Sequence, residues 1–429
     1  MSRNPDTLPP HYRRNFVAFL VDYVCFGIAL KFFDPTSVLP AFVSHLTDSA
    51  PVVGLVGTIF RGGWVLPQLA VARLINDRPR KKPCILAGMV SRLVFWVLAL
   101  VAWSGLARNP TAMLIVFFTC MALFMIGDGT SSVAWFDVVG RAIPVKQRGR
   151  LFGLGQVISG IAGVGVGALI RLILGNPRLR FPTDYALIFA LTGLAFLPAF
   201  PAILALREPA PDDPGPRTSA PGRGNWLKPL VTHTAFRRLI LCRILVAMID
   251  LSTPFYVGHA RDVLHLPASV IGDFVIAQTV AQIGASLTLS LVGDRWGPRL
   301  ATRIGAAVAV TGPLFALAAH LAGGGWLARG YPFVYVALGV VNSTWMLGFY
   351  NYLLEIAPRG MGSAYVGLSN TFVAISTLAP VAGGWLLETT SYPTLFAVAA
   401  AIVGVGFLIT LGLSAPQPAM VPAPAEDRP

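Results

Sequence analysis

Twelve apolar stretches of about 20 residues or more follow one another along the chain, and they limit what it can fold into. They cover residues 16–43, 52–72, 84–104, 111–135, 150–174, 184–206, 236–257, 269–291, 300–322, 331–354, 363–387 and 393–414. About 20 helical residues cross a bilayer core roughly 30 Å thick. Because apolar and polar residues do not alternate in these stretches, spanning strands are excluded. The sequence predicts an all-α membrane protein with twelve transmembrane helices.

The charge content agrees with a chain that lies mostly in lipid. Of 429 residues, 55% are hydrophobic and 12% are charged, whereas soluble domains are about 25% charged. The net charge of +14 comes from basic residues at the ends of apolar stretches, which favours membrane topology over nucleic-acid binding. Four cysteines lie in or beside apolar stretches, at Cys25, Cys84, Cys120 and Cys242. They form no disulfide or zinc pattern.

Lysine and arginine also predict the orientation. With the N-terminus inside, 23 of these residues fall in cytoplasmic segments and 5 in outer loops, so both termini are expected in the cytoplasm. Residues 1–15 show no cleavable signal peptide. The Ala-, Gly-, Pro- and Arg-rich composition and the short loops favour a bacterial inner membrane.

The chain divides into two halves. We expect a cytoplasmic N-terminus (1–15), a first six-helix bundle (16–206), a Pro- and Gly-rich cytoplasmic linker (207–235), a second six-helix bundle (236–414) and a disordered cytoplasmic tail (415–429).

The two halves repeat at a nearly constant offset. Gly54 and Gly272 open corresponding helices at an offset of 218, and Asp34 and Asp250 differ by 216. The loops 76–78 (NDR) and 293–295 (GDR) differ by 217. Two bundles related by a pseudo-two-fold axis are typical of alternating-access transporters, whose substrate site lies between the bundles near the bilayer midplane.

Both of these loops carry a recognisable motif. Residues 73–82 (RLINDRPRKK) and 290–299 (SLVGDRWGPR) resemble the signature loop of the major facilitator superfamily. Arg73, Arg80 and Ser290 replace glycines that are usual there. The resemblance implies that superfamily's fold of two six-helix bundles and secondary transport. Asp34, six residues before Pro40, resembles the acidic residue of the proton-coupled drug antiporter branch.

The loop motif predicts a cytoplasmic gate. Asp77 and Arg78, with their copies Asp294 and Arg295, would hold the cytoplasmic side shut through pairs with acidic residues at helix ends, Asp137 and Glu355. A second candidate gate pair joins Asp22 to Arg243 across the halves. The alternative is that these loops only set topology through their positive charge.

Eight charged residues fall within the apolar stretches, where each costs about 2.5–3.5 kcal/mol unless it has a partner or a wet cavity. They are Asp22, Lys31, Asp34, Arg61, Arg92, Asp128, Arg243 and Asp250. We expect Asp34 and Asp250 to carry a proton or bind a cationic substrate. Counting about 1.5 Å per residue from Arg14 puts Asp34 near the outer face, whereas the repeat alignment with Asp250 puts it deeper. Asp34 could instead form a structural ion pair with Lys31 or Arg61.

The remaining charges suggest partners. Arg61 is expected to neutralise Asp34, with an anionic substrate as the alternative, and Arg92 and Asp128 fall at similar depths and could pair. Five aromatic residues could line the cavity, or else pack in the bundles or against lipid: Phe33, Trp64, Tyr256, Trp345 and Tyr350.

Motifs for other chemistry are absent from the sequence. It has no nucleotide-binding loop, nucleophile elbow or zinc-protease motif, so it predicts no enzyme, ATP-driven pump, cofactor or metal site. We expect a monomeric secondary transporter whose partners are the bilayer, a small-molecule substrate and a proton, acting by proton-coupled efflux of a small amphipathic or cationic compound. The alternatives are uptake or exchange of an organic anion held by Arg61 and Arg92, and a non-transporting membrane sensor.

Overall fold

The computed structural model describes residues 10–76, 80–105, 108–209, 230, 232–323, 325–358 and 361–414, and these contain helices and loops but no strand. The helices of the first half are α1 (Tyr12–Phe32 and Val38–Ser44), α2 (Ala50–Asn76), α3 (Lys82–Trp103), α4 (Pro110–Ala142), α5 (Val145–Leu174) and α6 (Thr183–Phe196 and Ala199–Ala205). Those of the second half are α7 (Thr234–Val263), α8 (Val270–Trp296), α9 (Pro298–Leu321), α10 (Pro332–Ile356), α11 (Gly362–Val373 and Ala379–Thr389) and α12 (Tyr392–Leu411).

The predicted fold class is confirmed. Within the described residues, eleven helical segments are long and apolar enough to cross a membrane. The remaining helix, α2, has 27 residues and a comparable length. Each corresponds to one apolar stretch of the sequence, and the observed helices commonly extend a few residues past the predicted ends.

Two helices differ from the prediction in a way that matters for the site. The first apolar stretch is broken after Phe32, because Pro35 cannot continue the helical hydrogen-bond pattern. The eighth continues to Trp296, so Asp294 and Arg295 lie on the last turn of α8 and not in a loop. Asp77 and Arg78 lie outside the described residues.

Helix α7 is irregular from its middle onward. A regular helix ends at Ala247, two 3₁₀ turns cover Met248–Leu251 and Thr253–Phe255, and a π-helical turn covers His259–Val263. Such departures from α-helix often mark hinges. Asp250 lies on the first 3₁₀ turn, in the middle of the span.

We call the face that carries the starts of α1 and α7 the terminal face, and the opposite one the distal face. At the terminal face, Arg14 and Lys82 donate hydrogen bonds to the last carbonyl groups of α6. Arg238 and Arg303 do the same for α12 in the second half. These basic side chains satisfy carbonyls that a helix end leaves without partners.

The two bundles pack tightly in the distal half of the molecule through pairs of helices related by the repeat. Gly54 of α2 lies against the carbonyl of Pro380 in α11, and Gly272 of α8 lies against the carbonyl of Gly167 in α5. Both contacts need a residue without a side chain, because a Cβ would overlap a backbone atom. The repeat seen between Gly54 and Gly272 in the sequence therefore corresponds to two equivalent helix crossings.

The bundles separate toward the terminal face. The contact between α5 and α8 runs from the distal end to Gly160 and Ile283. Nearer the terminal face, no described glycine of either helix packs against the other bundle. Every ion pair between the bundles in the described part of the chain lies at mid-span or in the distal half.

Candidate functional site

One ion pair joins the two bundles in the middle of the membrane span. Arg61 of α2 makes a two-pronged contact with Asp250 of α7, with Nη1 at 2.5 Å from Oδ2 and Nη2 donating to Oδ1 at 3.0 Å. The Asp250 side chain is 6% exposed and that of Arg61 is 39% exposed. The carboxylate is thus buried while the guanidinium is open on one side. Arg61 was expected to pair with Asp34, and the structure pairs it with Asp250 instead.

Asp34 lies at the break in α1 and has a different environment. Its Oδ1 accepts hydrogen bonds from the Thr36 amide (2.9 Å), the Thr36 hydroxyl (2.5 Å) and the Ser37 hydroxyl (3.0 Å). These bonds form a local turn that connects the two segments of α1. Among the described residues no basic group comes within 4 Å of it, so the expected ion pairs with Lys31 and Arg61 are absent.

Asp34 also lies farther from the terminal face than Asp250. Arg14 and Arg238 cap equivalent helices and mark the same depth. Asp34 is 20 residues beyond Arg14 and Asp250 is 12 beyond Arg238, so at 1.5 Å per residue Asp34 lies about 12 Å nearer the distal face. The helix Tyr12–Phe32 is continuous, which agrees with the residue count from Arg14 and not with the depth that the repeat alignment gave.

A second charged group is enclosed within the first bundle. Arg92 of α3 contacts Asp22 of α1 at 2.6 Å and Asp128 of α4 at 3.7 Å, and all three side chains are at most 10% exposed. Trp64 donates its indole N–H to Asp128 at 3.2 Å. The Arg92–Asp128 pair was expected, whereas Asp22 was expected to pair with Arg243. Two carboxylates share one guanidinium here, which leaves one negative charge in excess.

Arg243 of α7 is buried without an acidic partner among the described residues. It donates to the Ser369 hydroxyl at 2.5 Å and to the Asn370 side-chain oxygen at 3.4 Å. Its guanidinium lies 4.8 Å from the ring centre of Tyr350 and 5.9 Å from that of Trp345. Cation–π contacts of this kind stabilise a buried guanidinium. Arg243 thus ties α7 to α10 and α11 within one bundle and is not paired with Asp22.

The aromatic candidates divide into two groups. Phe33 is fully buried against Phe95 and Phe124 in the core of the first bundle, and Tyr256 is fully buried in the second. In this structure neither faces an open space. Trp64, Trp345 and Tyr350 are partly or largely exposed and contact the buried charged groups just described.

Of the residues expected to form a gate at the terminal face, Asp137 makes its ion pairs within its own bundle. Asp137 of α4 contacts Lys81 at 2.5 Å and Arg141 at 2.8 Å, and Arg141 also contacts Glu208 after α6 at 2.9 Å. In the described part of the chain no ion pair reaches Glu355 or Asp294, which are both exposed. Within the described residues, which do not include Asp77 and Arg78, no ion pair joins the bundles at this face.

Sequence reasoning missed the contacts that close the distal half. Lys31 donates to Gln282 at 3.3 Å, and Arg171 pairs with Asp273 at 3.1 Å. The Thr36 hydroxyl lies 3.0 Å from the Gln278 side-chain oxygen. Arg171 lies three residues before the end of α5, and Asp273 lies three residues after the start of α8. These matching positions at the distal ends of two helices were the only indication in the sequence that the two residues could pair.

A cavity of about 290 Å³ remains between the bundles at the distal face. Both bundles line it, through α1 and α2 on one side and α7, α11 and α12 on the other. Its charged lining residues are all acidic: Asp48, Asp262 and Glu388.

Comparison with solved structures shows the same fold at low sequence identity. A bacterial homologue of the iron transporter ferroportin in its inward-facing state has 15% identity and a TM-score of 0.72, covering 96% of this chain and 100% of that one. A structure of the same description in the outward-facing state has 15% identity and a TM-score of 0.61, covering 94% and 99%. A D-xylose–proton symporter has 15% identity and a TM-score of 0.70, covering 94% and 98%. No match was found among curated proteins.

The family is fixed by sequence as well as by fold. Two helical bundles pack through repeat-related helix pairs, and the structures that share this arrangement are transporters. The sequence model of the Major Facilitator Superfamily matches residues 19–379. The chain therefore belongs to the Major Facilitator Superfamily and is a multi-pass membrane transporter.

Proposed function

We propose that this chain is a proton-coupled transporter that exports a small amphipathic or cationic compound across the bacterial inner membrane by alternating access. The observation that carries the proposal is the ion pair between Arg61 and Asp250. It connects the bundles at mid-span, and it must break when they rock apart at the distal face.

Asp250 can couple that motion to a proton or a cation. A proton on the carboxylate removes the charge that holds Arg61, and a cation bound to Asp250 competes with Arg61 for the same oxygens. Either event weakens a contact that exists only in the distally closed state. Once the cation leaves at the distal face, a proton from that side binds the carboxylate. The bundles then close, the proton leaves toward the terminal face, and the pair with Arg61 re-forms. A proton and a cation that exclude each other at one carboxylate produce exchange, which is antiport.

The other acidic groups support a cationic substrate. Asp34 is buried with hydroxyl partners but without a cation within 4 Å in the described residues. Farther out, the distal cavity is lined by Asp48, Asp262 and Glu388 and by no basic side chain. Carboxylates along the path favour the passage of cations over anions. If the terminal face is cytoplasmic, this path leads outward.

The enclosed group around Arg92 supports proton binding in the first bundle. Two carboxylates and one guanidinium carry a net negative charge in a site from which water is excluded, and one proton would neutralise it. Asp128 is the carboxylate held less closely by Arg92, and its contact Trp64 is 38% exposed. We assign the proton to Asp128 and the closer ion pair to Asp22.

The test is transport by the full chain in proteoliposomes under an imposed pH gradient, with ethidium and tetraphenylphosphonium as amphipathic cations. Asp250→Asn should lower gradient-driven transport at least about tenfold, equivalent to about 1.4 kcal/mol. Asp273→Asn is the matched control, because it also removes an interbundle ion pair, Arg171–Asp273, but in the distal half, where the Asp273 side chain is only partly buried. It should retain more than half of the wild-type rate.

Asp34→Asn belongs in the same experiment as the second carboxylate of the path. It should reduce transport of both cations while leaving proton uptake by Asp250 intact. Wild-type, gradient-driven transport by both Asp250→Asn and Asp34→Asn would rule out these carboxylates as coupling groups. An equal loss of transport in Asp273→Asn would show that breaking any interbundle ion pair is enough to lower transport.

A second candidate function is transport of an organic anion, because the open member of the central pair is Arg61. A substrate carboxylate would displace Asp250 from the guanidinium. Arg92 does not contribute in this structure, since it is enclosed by Asp22 and Asp128. Arg61→Gln should abolish transport of mono- and dicarboxylates if this candidate is correct. If the substrate is a cation, Arg61→Gln should keep cation binding, because it frees Asp250.

A further inference from the structure

His45 makes a contact between the two bundles at the distal face that depends on its protonation. It follows the second segment of α1, and Arg261 near the distal end of α7 reaches it from the other half. Arg261 Nη2 lies 3.1 Å from His45 Nε2. The ring stacks on Phe181 with an interplanar angle of 6° and 4.8 Å between ring centres. The imidazole is therefore held in one orientation.

The hydrogen bonds fix which nitrogen carries the proton. A guanidinium has donors only, so His45 Nε2 must accept and carries no hydrogen in this contact. His45 Nδ1 lies 2.7 Å from the carbonyl oxygen of Ala41, which is an acceptor, and 3.4 Å from Arg261 Nη1, which is a donor. Because the contact with the carbonyl is much the shorter of the two, we assign the ring proton to Nδ1. The closed distal face thus requires neutral His45. A second proton on Nε2 would place two donors and two positive charges against each other.

The titratable and charged groups around this contact come from the loop of His45, from α6 and from the distal end of α7: Asp48, Asp184, Tyr185, Arg261, Asp262 and His265. Of these, Arg261 hydrogen-bonds the ring, and Asp184 and Asp262 interact electrostatically with Arg261. Neither carboxylate forms an ion pair with the guanidinium within 4 Å in the described residues, and both attract it from a longer distance.

We propose that His45 is a proton-binding site that controls the distal opening, with the closed state held by Arg261 on the neutral ring and the open state favoured when the ring is protonated. The site is separate from Asp250 and lies on the face that the predicted orientation places outside. The role of His45 in transport rests on the proposed proton-coupled cycle, whereas its protonation and the effect on the contact with Arg261 do not. Acid outside would then favour the outward-facing state.

The sign of the effect follows from linkage. Burial, and then the charge of Arg261, lower the pKa of His45 to about 4 in the closed state, against about 6.5 for a free histidine. The closed state therefore binds the proton more weakly than an open state in which Arg261 has left, and it loses stability as the pH falls below 6.5. Lowering the pH from about 7.5 to about 5.5 should raise the open-to-closed ratio about tenfold.

The experiment measures distances across the distal face in the full chain reconstituted in lipid nanodiscs. Spin labels at Arg178→Cys and Arg329→Cys, in a Cys84→Ser background, report on the loops after α5 and α9, where both arginines are exposed. The wild type should show the tenfold shift toward the longer distance at the lower pH. His45→Gln keeps a neutral acceptor and should shift less than about twofold, while His45→Lys should be open at both pH values.

Two results would overturn the proposal: no pH-dependent shift in the wild type, or an unchanged shift in His45→Gln. Asp273→Asn is the control here too, because it weakens distal closure without touching His45 and should keep the pH dependence. The distances do not require transport. If the distal face opens at low pH but Asp250→Asn transports like the wild type, the His45 proposal is supported and the proposed function is contradicted. If Asp250→Asn loses transport but the distal face does not respond to pH, the proposed function is supported and the His45 proposal is contradicted.

Discussion

Replacing Arg92 with Met should destabilise the fold more than any other single substitution in the membrane-embedded charges. The change leaves Asp22 and Asp128 buried without a cation, and removing one partner from a buried ion network costs about 3–5 kcal/mol. Thermal unfolding of the purified protein in detergent measures the effect. We expect a clearly lower transition temperature for Arg92→Met than for the wild type.

The two carboxylates provide graded controls. Asp128→Asn should cost less than about 1 kcal/mol, because it leaves the closer pair of Arg92 and Asp22 and removes the excess negative charge. Asp22→Asn should cost more, because it removes the closer partner. The triple variant with Arg92→Met, Asp22→Asn and Asp128→Asn should recover most of the stability lost by Arg92→Met. A wild-type melting temperature for Arg92→Met, or no recovery in the triple variant, would contradict the charge assignment.

The fold could be predicted from sequence because lipid imposes strong rules on a spanning chain. Length and apolar content set the helices, and the repeat identified Gly54 and Gly272 as equivalent residues, which the two helix crossings explain. The break in α1 was the main omission. Pro35 could have signalled it, and so could Thr36 and Ser37, whose hydroxyl groups donate hydrogen bonds to Asp34.

The charged site was harder to predict because depth alone does not determine which helices face each other. Arg92 and Asp128 were matched by depth, and they do pair. Arg61 was assigned to Asp34, yet it reaches Asp250 in the other bundle. Pairing across bundles depends on how the two halves are rocked, and the sequence does not encode a single rocked state.

The crossing of α2 and α11 gives the strongest test of rocking itself. A Cβ at Gly54 would overlap the carbonyl oxygen of Pro380, a backbone atom that cannot turn away. Overpacking of this kind costs about 1–3 kcal/mol, which shifts a two-state equilibrium about 5- to 150-fold. The cost applies only when the distal face is closed, because the two helices separate when it opens. Gly54→Ala should therefore favour the distally open state, and Gly54→Leu should do so at the upper end of the range.

Transport then falls because every cycle must pass through the closed distal state. Gly54→Leu should lower cation transport in proteoliposomes about a hundredfold, and the distal spin-label distance should move to its longer value at neutral pH. Gly62→Ala on the same helix is the matched control for Gly54→Ala, since no atom outside its own helix lies within 4 Å of its Cβ position. It should transport like the wild type. If Gly54→Leu kept the short distal distance, the packing of α2 on α11 would not be what closes this face.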